Sequence, residues 1–249
     1  MAKNADSTDS IASLQHLINA SHRIVFFSGA GVSTESGIPD FRSSHGLYSQ
    51  KFRRTLDPEQ IISHTFLEED PATFFDFYRS KLIYPDAKPN AAHLAAAALE
   101  KQGKLEGVVT QNIDGLDEMA GTTRVAELHG TTMRNYCLQC GKQFPRDFVY
   151  RSTGIPHCDS CGGMVRPDVV LYEEGLDENV IEKAVQWISA ADLMIVAGTS
   201  LHVYPAAGLL GYFRGEHLVL INKTATGADR SAELVIRQPV AEVMAALSL

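Results

Sequence analysis

Long apolar runs, a basic excess and scattered cysteines are all missing from this 249-residue chain. No apolar stretch approaches the ~18 residues that cross a bilayer. Met1 to Ser10, which carries Asp6 and Asp9, has neither the basic start nor the apolar segment of a secretory leader. A cytoplasmic protein with no membrane partner is the expectation. Lys and Arg number 22 against 30 Asp and Glu, a formal charge of −8, which argues against direct nucleic-acid binding. Three hydrolytic or kinase signatures are absent as well. Gly31-Val-Ser-Thr-Glu35 and Gly198-Thr-Ser-Leu-His202 both fail the last position of a Gly-x-Ser-x-Gly elbow, and neither a His-Glu-x2-His zinc site nor a Gly-x4-Gly-Lys-Ser/Thr loop occurs. No feature points to a particular oligomeric state.

What is present reads as an α/β protein. Apolar residues are 45% of the chain, enough for a core without disulfides. Short apolar runs at Arg23 to Ser28, Leu105 to Thr110, Leu193 to Ala197 and His217 to Ile221 each stop at glycine or polar residues, the pattern of buried strands. Helical periodicity covers Ile11 to Ile18, Asn90 to Gln102 with Asn90 as cap, and Asn179 to Ala190 with Val180, Ile181, Ala184, Val185 and Ile188 on one face. The alternation predicts a Rossmann-like, doubly wound parallel sheet whose ligand lies beyond the carboxyl ends of the strands. Two stretches interrupt it. Residues 43–86, with helices expected over His64 to Glu69 and Pro71 to Ile83, and 135–163, which holds the cysteines, read as inserts forming a smaller lobe. The sheet domain is then 1–42, 87–134 and 164–249.

All four cysteines fall in one motif, Cys137-x2-Cys140-x17-Cys158-x2-Cys161. Two Cys-x2-Cys knuckles place four thiolates around one zinc, and a closed shell of four makes that zinc structural rather than catalytic. Four buried free thiols are the alternative. A second signal, Gly29-Ala30-Gly31-Val32-Ser33 after a strand, has the backbone shape that lets phosphates approach N–H groups. Alone it equally describes a plain strand-to-helix turn, because Thr34 stands where a dinucleotide fingerprint has its third glycine.

The continuation Ser36-Gly-Ile-Pro-Asp-Phe-Arg42 decides between them. Gly29 to Arg42 resembles the cofactor loop of the sirtuins, NAD-dependent protein lysine deacylases. The resemblance extends through Thr110-Gln-Asn-Ile-Asp-Gly115, Leu128-His-Gly130, the cysteines, Arg166-Pro-Asp-Val-Val170, Gly198-Thr-Ser-Leu-His-Val-Tyr-Pro205 and Ile221-Asn222, in the family's order. It implies a deacetylase that uses NAD and zinc, acts on acyl-lysine proteins or peptides, and gives nicotinamide, 2′-O-acetyl-ADP-ribose and free lysine. In that reaction the acetyl oxygen of the substrate is the nucleophile, so the protein supplies position, dryness and one base.

Carried over residue by residue, the resemblance makes His129 the general base, with Asn112 beside it in the catalytic centre. Gly29, Ala30, Gly31, Ser33, Thr34, Phe41 and Arg42 line the phosphates and nicotinamide ribose, with Phe41 shielding the reactive carbon. Gln111, Asn112, Ile113 and Asp114 hold the nicotinamide end. Gly198, Thr199, Ser200, Asn222, Lys223 and Val240 face the adenosine half. Val169, Val170 and Leu171 pair with the acyl-lysine peptide by strand addition. Plainer readings stand beside some of these: Asp114 as a cap of the next helix, Asn222 as a turn residue.

Two positions depart from the family. Glu173, in Tyr172-Glu-Glu-Gly175, stands where glycine is typical. Tyr78-x2-Lys81 replaces the Tyr-x2-Arg of members that remove succinyl or malonyl groups, so Lys81 is either a point charge for an acidic acyl chain or a solvated helix residue. Desuccinylase or demalonylase, protein ADP-ribosyltransferase and a silent NAD or acyl-lysine binder are the alternatives to deacetylase.

Overall fold

The computed structural model describes residues 7–41, 43, 46–49 and 56–249. Six strands form one parallel sheet in the order β3-β2-β1-β7-β8-β9: β1 (Ile24–Ser28), β2 (Leu105–Thr110), β3 (Val125–Glu127), β7 (Leu193–Ala197), β8 (His217–Ile221) and β9 (Leu234–Ile236). Connections run one way from β1 to β2 and β3 and the other way to β7, β8 and β9. The crevice between β1 and β7 is therefore the topological switch point, where ligands of such sheets bind.

Alternation along the strands decides which helix lies where. Ile24 and Phe26 face one side with Val108, Ile195 and Val219, and there α1 (Ser7–Ala20), α5 (Ala91–Lys101) and α9 (Val240–Ala245) cover them. Val25 and Phe27 face the other side with Val109, Met194 and Leu220, under Ala184 and Ile188 of α8 (Glu178–Ala190). Strands buried on both faces must read as continuous apolar runs, as these do. The Asn90 side chain accepts from the Ala92 N–H and the His93 ring accepts from the Asn90 N–H, a reciprocal cap that fixes where α5 begins.

The smaller lobe contains α2 (Pro58–Ile61), α3 (His64–Glu69), α4 (Pro71–Lys81), α7 (Arg146–Tyr150) and a three-stranded antiparallel sheet, β5-β4-β6. Its strands are β4 (Gly130–Cys137), β5 (Gln143–Pro145) and β6 (Val165–Val169), so the sheet straddles the limits 135 and 163 drawn from the sequence. The two inserts share one core. Phe74, Phe75, Phe77 and Tyr78 of α4 are fully buried against Phe144, Val149 and Cys137 of the cysteine module and Val165 of β6. Each such aromatic contributes about 2 kcal/mol or more by burial, which neither insert could gain alone.

Candidate functional site

At the switch point, the loops after β1 and β7 approach so closely that a side chain is excluded at Gly29, Gly31 and Gly198. The Gly31 N–H donates to the Gly198 carbonyl at 2.8 Å and the Gly29 N–H to the Ala197 carbonyl at 3.0 Å. A Cβ on Gly31 would lie 2.8 Å from Gly198 Cα, and one on Gly198, whose φ is +61°, would lie 2.4 Å from the Val32 nitrogen. These glycines are therefore required by loop-on-loop packing, with two of their N–H groups already engaged inside the protein, a different reason from the phosphate approach that the spacing suggests.

The loop after β2 fastens to both. Asn112, buried, donates through Nδ2 to the Gly29 carbonyl and to Ser33 Oγ, both at 3.2 Å, and Ser33 Oγ in turn donates to Asp114 Oδ2 at 2.7 Å. Asp114 Oδ1 accepts from the Leu116 N–H at the start of α6 (Leu116–Met119), so this carboxylate caps a helix and orients Ser33 at once. Gln111 Nε2 donates to Thr199 Oγ1 at 3.0 Å, tying β2 to the β7 loop. Ala30, Ser33, Phe41, Asn112, Ile113 and Asp114 line one cavity. Lys81, at the end of α4, borders the same cavity from the small lobe together with Leu47 and Tyr84.

His129 lies at the turn between β3 and β4, where its Nδ1 is 2.9 Å from the carbonyl oxygen of Gln111. A carbonyl only accepts, so Nδ1 carries the hydrogen and Nε2 is left as the basic nitrogen. Burial lowers the pKa below its ordinary 6.5, against a smaller opposing effect of that hydrogen bond, so the ring is neutral at pH 7. The turn is held by the Leu128 N–H on the Thr110 carbonyl at 2.9 Å. The His129 carbonyl accepts from the Val170 N–H at 3.0 Å, which joins the histidine to the segment Val169, Val170 and Leu171 at the outer edge of β6.

Other expected site residues are placed less directly. Thr34 donates to the Gly31 carbonyl, Ser200 is half-buried and Lys223 is exposed. The Asn222 side chain turns back onto Thr224, bonding its carbonyl at 2.9 Å, as a turn residue does. Val240 is buried at the first position of α9, which packs on the turn at Ala30 to Val32. Arg42 lies outside the described residues.

Three features went unread in the sequence. Arg166, 5% exposed, forms a fork with Glu174 at 2.5 and 3.0 Å, and Glu174 also takes the Leu171 N–H and lies 2.8 Å from His64 Nδ1. Burial alone would raise the Glu174 pKa, but Arg166, His64 and the Leu171 N–H bring it down to about 2. An arginine inside a strand is the signal, because a buried guanidinium demands a carboxylate. The Glu173 side chain reaches Thr65 of α3. Behind Asp114, the Asp117 carboxyl is 3% exposed and burial, reinforced by Asp114, Glu118 and Glu127, raises its pKa well above the ordinary range.

The four thiols come together. Cys137 and Cys161 sulfurs are 3.4 Å apart, Cys140 and Cys158 sulfurs 3.7 Å, and all four lie within 4.8 Å of one another without a disulfide. Thiolates ~2.3 Å from a tetrahedral zinc would sit about 3.8 Å apart, so the donor set and spacing fit that ion.

Comparison with known proteins fixes the lineage. The model of the Sir2 family matches residues 29–205, more than half the chain. This chain belongs to the Sir2 family. Among curated proteins it is similar to an NAD-dependent protein deacetylase of Clostridium perfringens (strain 13 / Type A), 57% identical over 237 residues that cover 95% of this chain and 97% of that one. One of Staphylococcus aureus (strain N315) is 46% identical over 237 residues, covering 95% and 97%. Among solved structures, a Sir2 protein with a deacetylated p53 peptide and 3′-O-acetyl ADP ribose aligns with a TM-score of 0.86 at 37% identity, over 95% of this chain and 96% of that one. Another, with p53 peptide and NAD+, gives 0.82 at 38%, over 94% and 95%. The six-stranded Rossmann-like sheet beside a small lobe with clustered cysteines is thus the Sir2 architecture.

Proposed function

We propose that this Sir2 protein is an NAD-dependent protein lysine deacetylase. The observation that carries the reading is the His129 ring, held as one tautomer with Nε2 basic by the carbonyl of Gln111, whose sequence neighbour Asn112 begins the chain to Ser33 and Asp114. NAD fits the donors present. Each Asp114 oxygen has one partner and retains a lone pair for a carboxamide N–H, and Asn112 Oδ1 stays open as an acceptor because both Nδ2 hydrogens are engaged. NAD supplies the electrophilic ribose carbon from which nicotinamide departs.

The protein's own part is placement and one proton transfer. Asp114 and Ile113 hold the nicotinamide end, while Ser33 and Asn112 orient the ribose beside them. Phe41 covers the reacting carbon, its ring 5.3 Å from that of Tyr48, and keeps water out. Ala30, Thr34 and Arg42 serve the phosphates, and Gly198, Thr199, Ser200, Asn222, Lys223 and Val240 the adenosine half. His129 Nε2 takes the proton of a ribose hydroxyl, which a neutral imidazole can do at pH 7. The acyl-lysine peptide lies along Val169 to Leu171 as an added strand. Cys137, Cys140, Cys158 and Cys161 hold a structural zinc that secures this edge without touching the chemistry. The domain division proposed is 1–42, 87–134 and 164–249 for NAD, 43–86 as helical insert and 135–163 as zinc module, with the small antiparallel sheet crossing the limits at 135 and 163 through β4 and β6. Among the described residues no helix is long and apolar enough to cross a membrane; a cytoplasmic location without direct nucleic-acid contact is part of the proposal.

Incubation of the protein with an acetylated peptide and NAD tests it. One nicotinamide and one O-acetyl-ADP-ribose per lysine freed is the expected result. NAD consumption without peptide, with ADP-ribose attached to protein, would replace it by the transferase reading. A second reading, removal of acidic acyl groups, is favoured by Lys81 at the cavity. A succinyl-peptide preference that disappears in Lys81→Ala would establish it.

A further inference from the structure

The segment after β6 is stitched on two sides. Towards the sheet domain, Val170 bonds the carbonyl of His129. Towards the small lobe, the Tyr172 N–H donates to the Ile62 carbonyl and the His64 N–H to the Tyr172 carbonyl, both at 3.0 Å, and the Tyr172 hydroxyl meets that of Tyr48 at 2.9 Å. Whatever fixes this segment therefore sets the spacing between the base and the helical insert.

Glu173 sits at the centre of that stitch in a costly conformation. Its φ is +77°, the left-handed region in which a side chain is strained and glycine is not. Its side chain is exposed, so burial offers no compensation. What it gains is contact: one carboxylate oxygen accepts both the Thr65 N–H at 2.9 Å and the Thr65 hydroxyl at 2.7 Å, at the start of α3. Those bonds also lower its pKa. A residue that keeps an unfavourable backbone for a single two-pronged contact between the segment after β6 and α3 marks a position where that contact matters.

We propose that Glu173 is a positioning residue for the acyl peptide, fastening α3 to the edge Val169 to Leu171 so that the peptide strand is held at the correct distance from His129. The inference rests on the proposed peptide site. It predicts an effect on peptide binding alone, because Glu173 does not line the cavity of Ala30, Ser33, Asn112 and Asp114.

Three variants separate positioning from mere stability. Glu173→Ala removes the contact and keeps the strain; Glu173→Gly removes both; Glu173→Gln keeps an acceptor oxygen for Thr65. The peptide KM is expected to rise about tenfold in Glu173→Ala, as loss of about 1.4 kcal/mol would give. Glu173→Gly should show the same rise although its Tm equals or exceeds that of the wild type, and Glu173→Gln should return to within about threefold of it, since an amide oxygen accepts the same two bonds. NAD KM and kcat at saturating peptide stay near wild type. Fluorescence anisotropy of a labelled acetyl peptide gives the same comparison without turnover. Wild-type peptide affinity in Glu173→Ala and Glu173→Gly, or NAD KM rising in step with that of the peptide, overturns the proposal. An inactive wild type would instead overturn the deacetylase reading.

Discussion

The two halves of the site are built by different physics. On the sheet side, glycine loops close on one another through backbone hydrogen bonds and the polar chain Asn112, Ser33, Asp114 lies between them. On the small-lobe side, the edge is held by an arginine and glutamate fork, a glutamate on Thr65 and four thiols in one cluster. Backbone closure responds little to pH, salt or metal, whereas charged side chains and thiolates respond to all three. The proposed nucleotide half should therefore be fixed, and the proposed peptide half should be the part that conditions can loosen.

The largest effect expected comes from the thiols. Structural zinc contributes on the order of 10 kcal/mol in small modules, and a chain of this size loses about 2–4 °C of Tm per kcal/mol. Cys137→Ser or strong chelation should lower Tm by more than about 10 °C and abolish peptide binding while the parallel sheet keeps its far-UV signal. An unchanged melting curve after chelation would contradict it.

Breaking the buried pair comes next. Glu174→Ala leaves Arg166 buried without its carboxylate, a change worth about 3–5 kcal/mol that differential scanning calorimetry can read. Its pH signature has a definite sign. Glu174 is held at about 2 against an ordinary 4.5, so its contribution is fully present above 4.5 and is lost as pH falls from there towards about 2. Wild-type Tm should fall across that window more steeply than that of the variant. Equal slopes would show that the fork is not the acid-labile contact.

Gly198→Ala probes the sheet side. A side chain at φ +61° and a Cβ 2.4 Å from the Val32 nitrogen should cost about 2–4 kcal/mol and raise the NAD KM, with no added pH dependence. A new acid limb in that variant would erase the contrast between the halves. His64 gives the smallest effect. Its pKa is raised chiefly by the hydrogen bond to Glu174, so its contribution is present below 6.5 and lost as pH rises through the folded value. His64→Gln should abolish a slight gain in Tm on the acid side of 6.5, and a larger gain in the variant would reverse the assignment.

Much of the sheet half was legible because its signals are local. The four central strands are apolar runs long enough to see, the Asn90 cap precedes an alanine-rich helix, and Asp114 reads correctly as a cap of the next helix. β3 and β9 escaped because three residues carry no period. The small sheet escaped for another reason: β6 contains Arg166 and Pro167, which no strand pattern favours until Glu174 and an edge position accommodate them. The core shared by the two inserts joins residues more than 60 positions apart, such as Phe74 and Phe144, which periodicity cannot connect. Glu173 was visible as a departure, but the meaning of the usual glycine there emerged only with its φ of +77°.

The central claim is that His129 Nε2 is the base of an NAD-dependent deacetylation, and His129→Ala tests it most directly. Deacetylated peptide and nicotinamide would be followed at pH 7.5 with NAD affinity measured in parallel. At least a ~10²-fold loss of turnover is expected, with NAD affinity within about threefold of wild type. Undiminished turnover in the variant would contradict it.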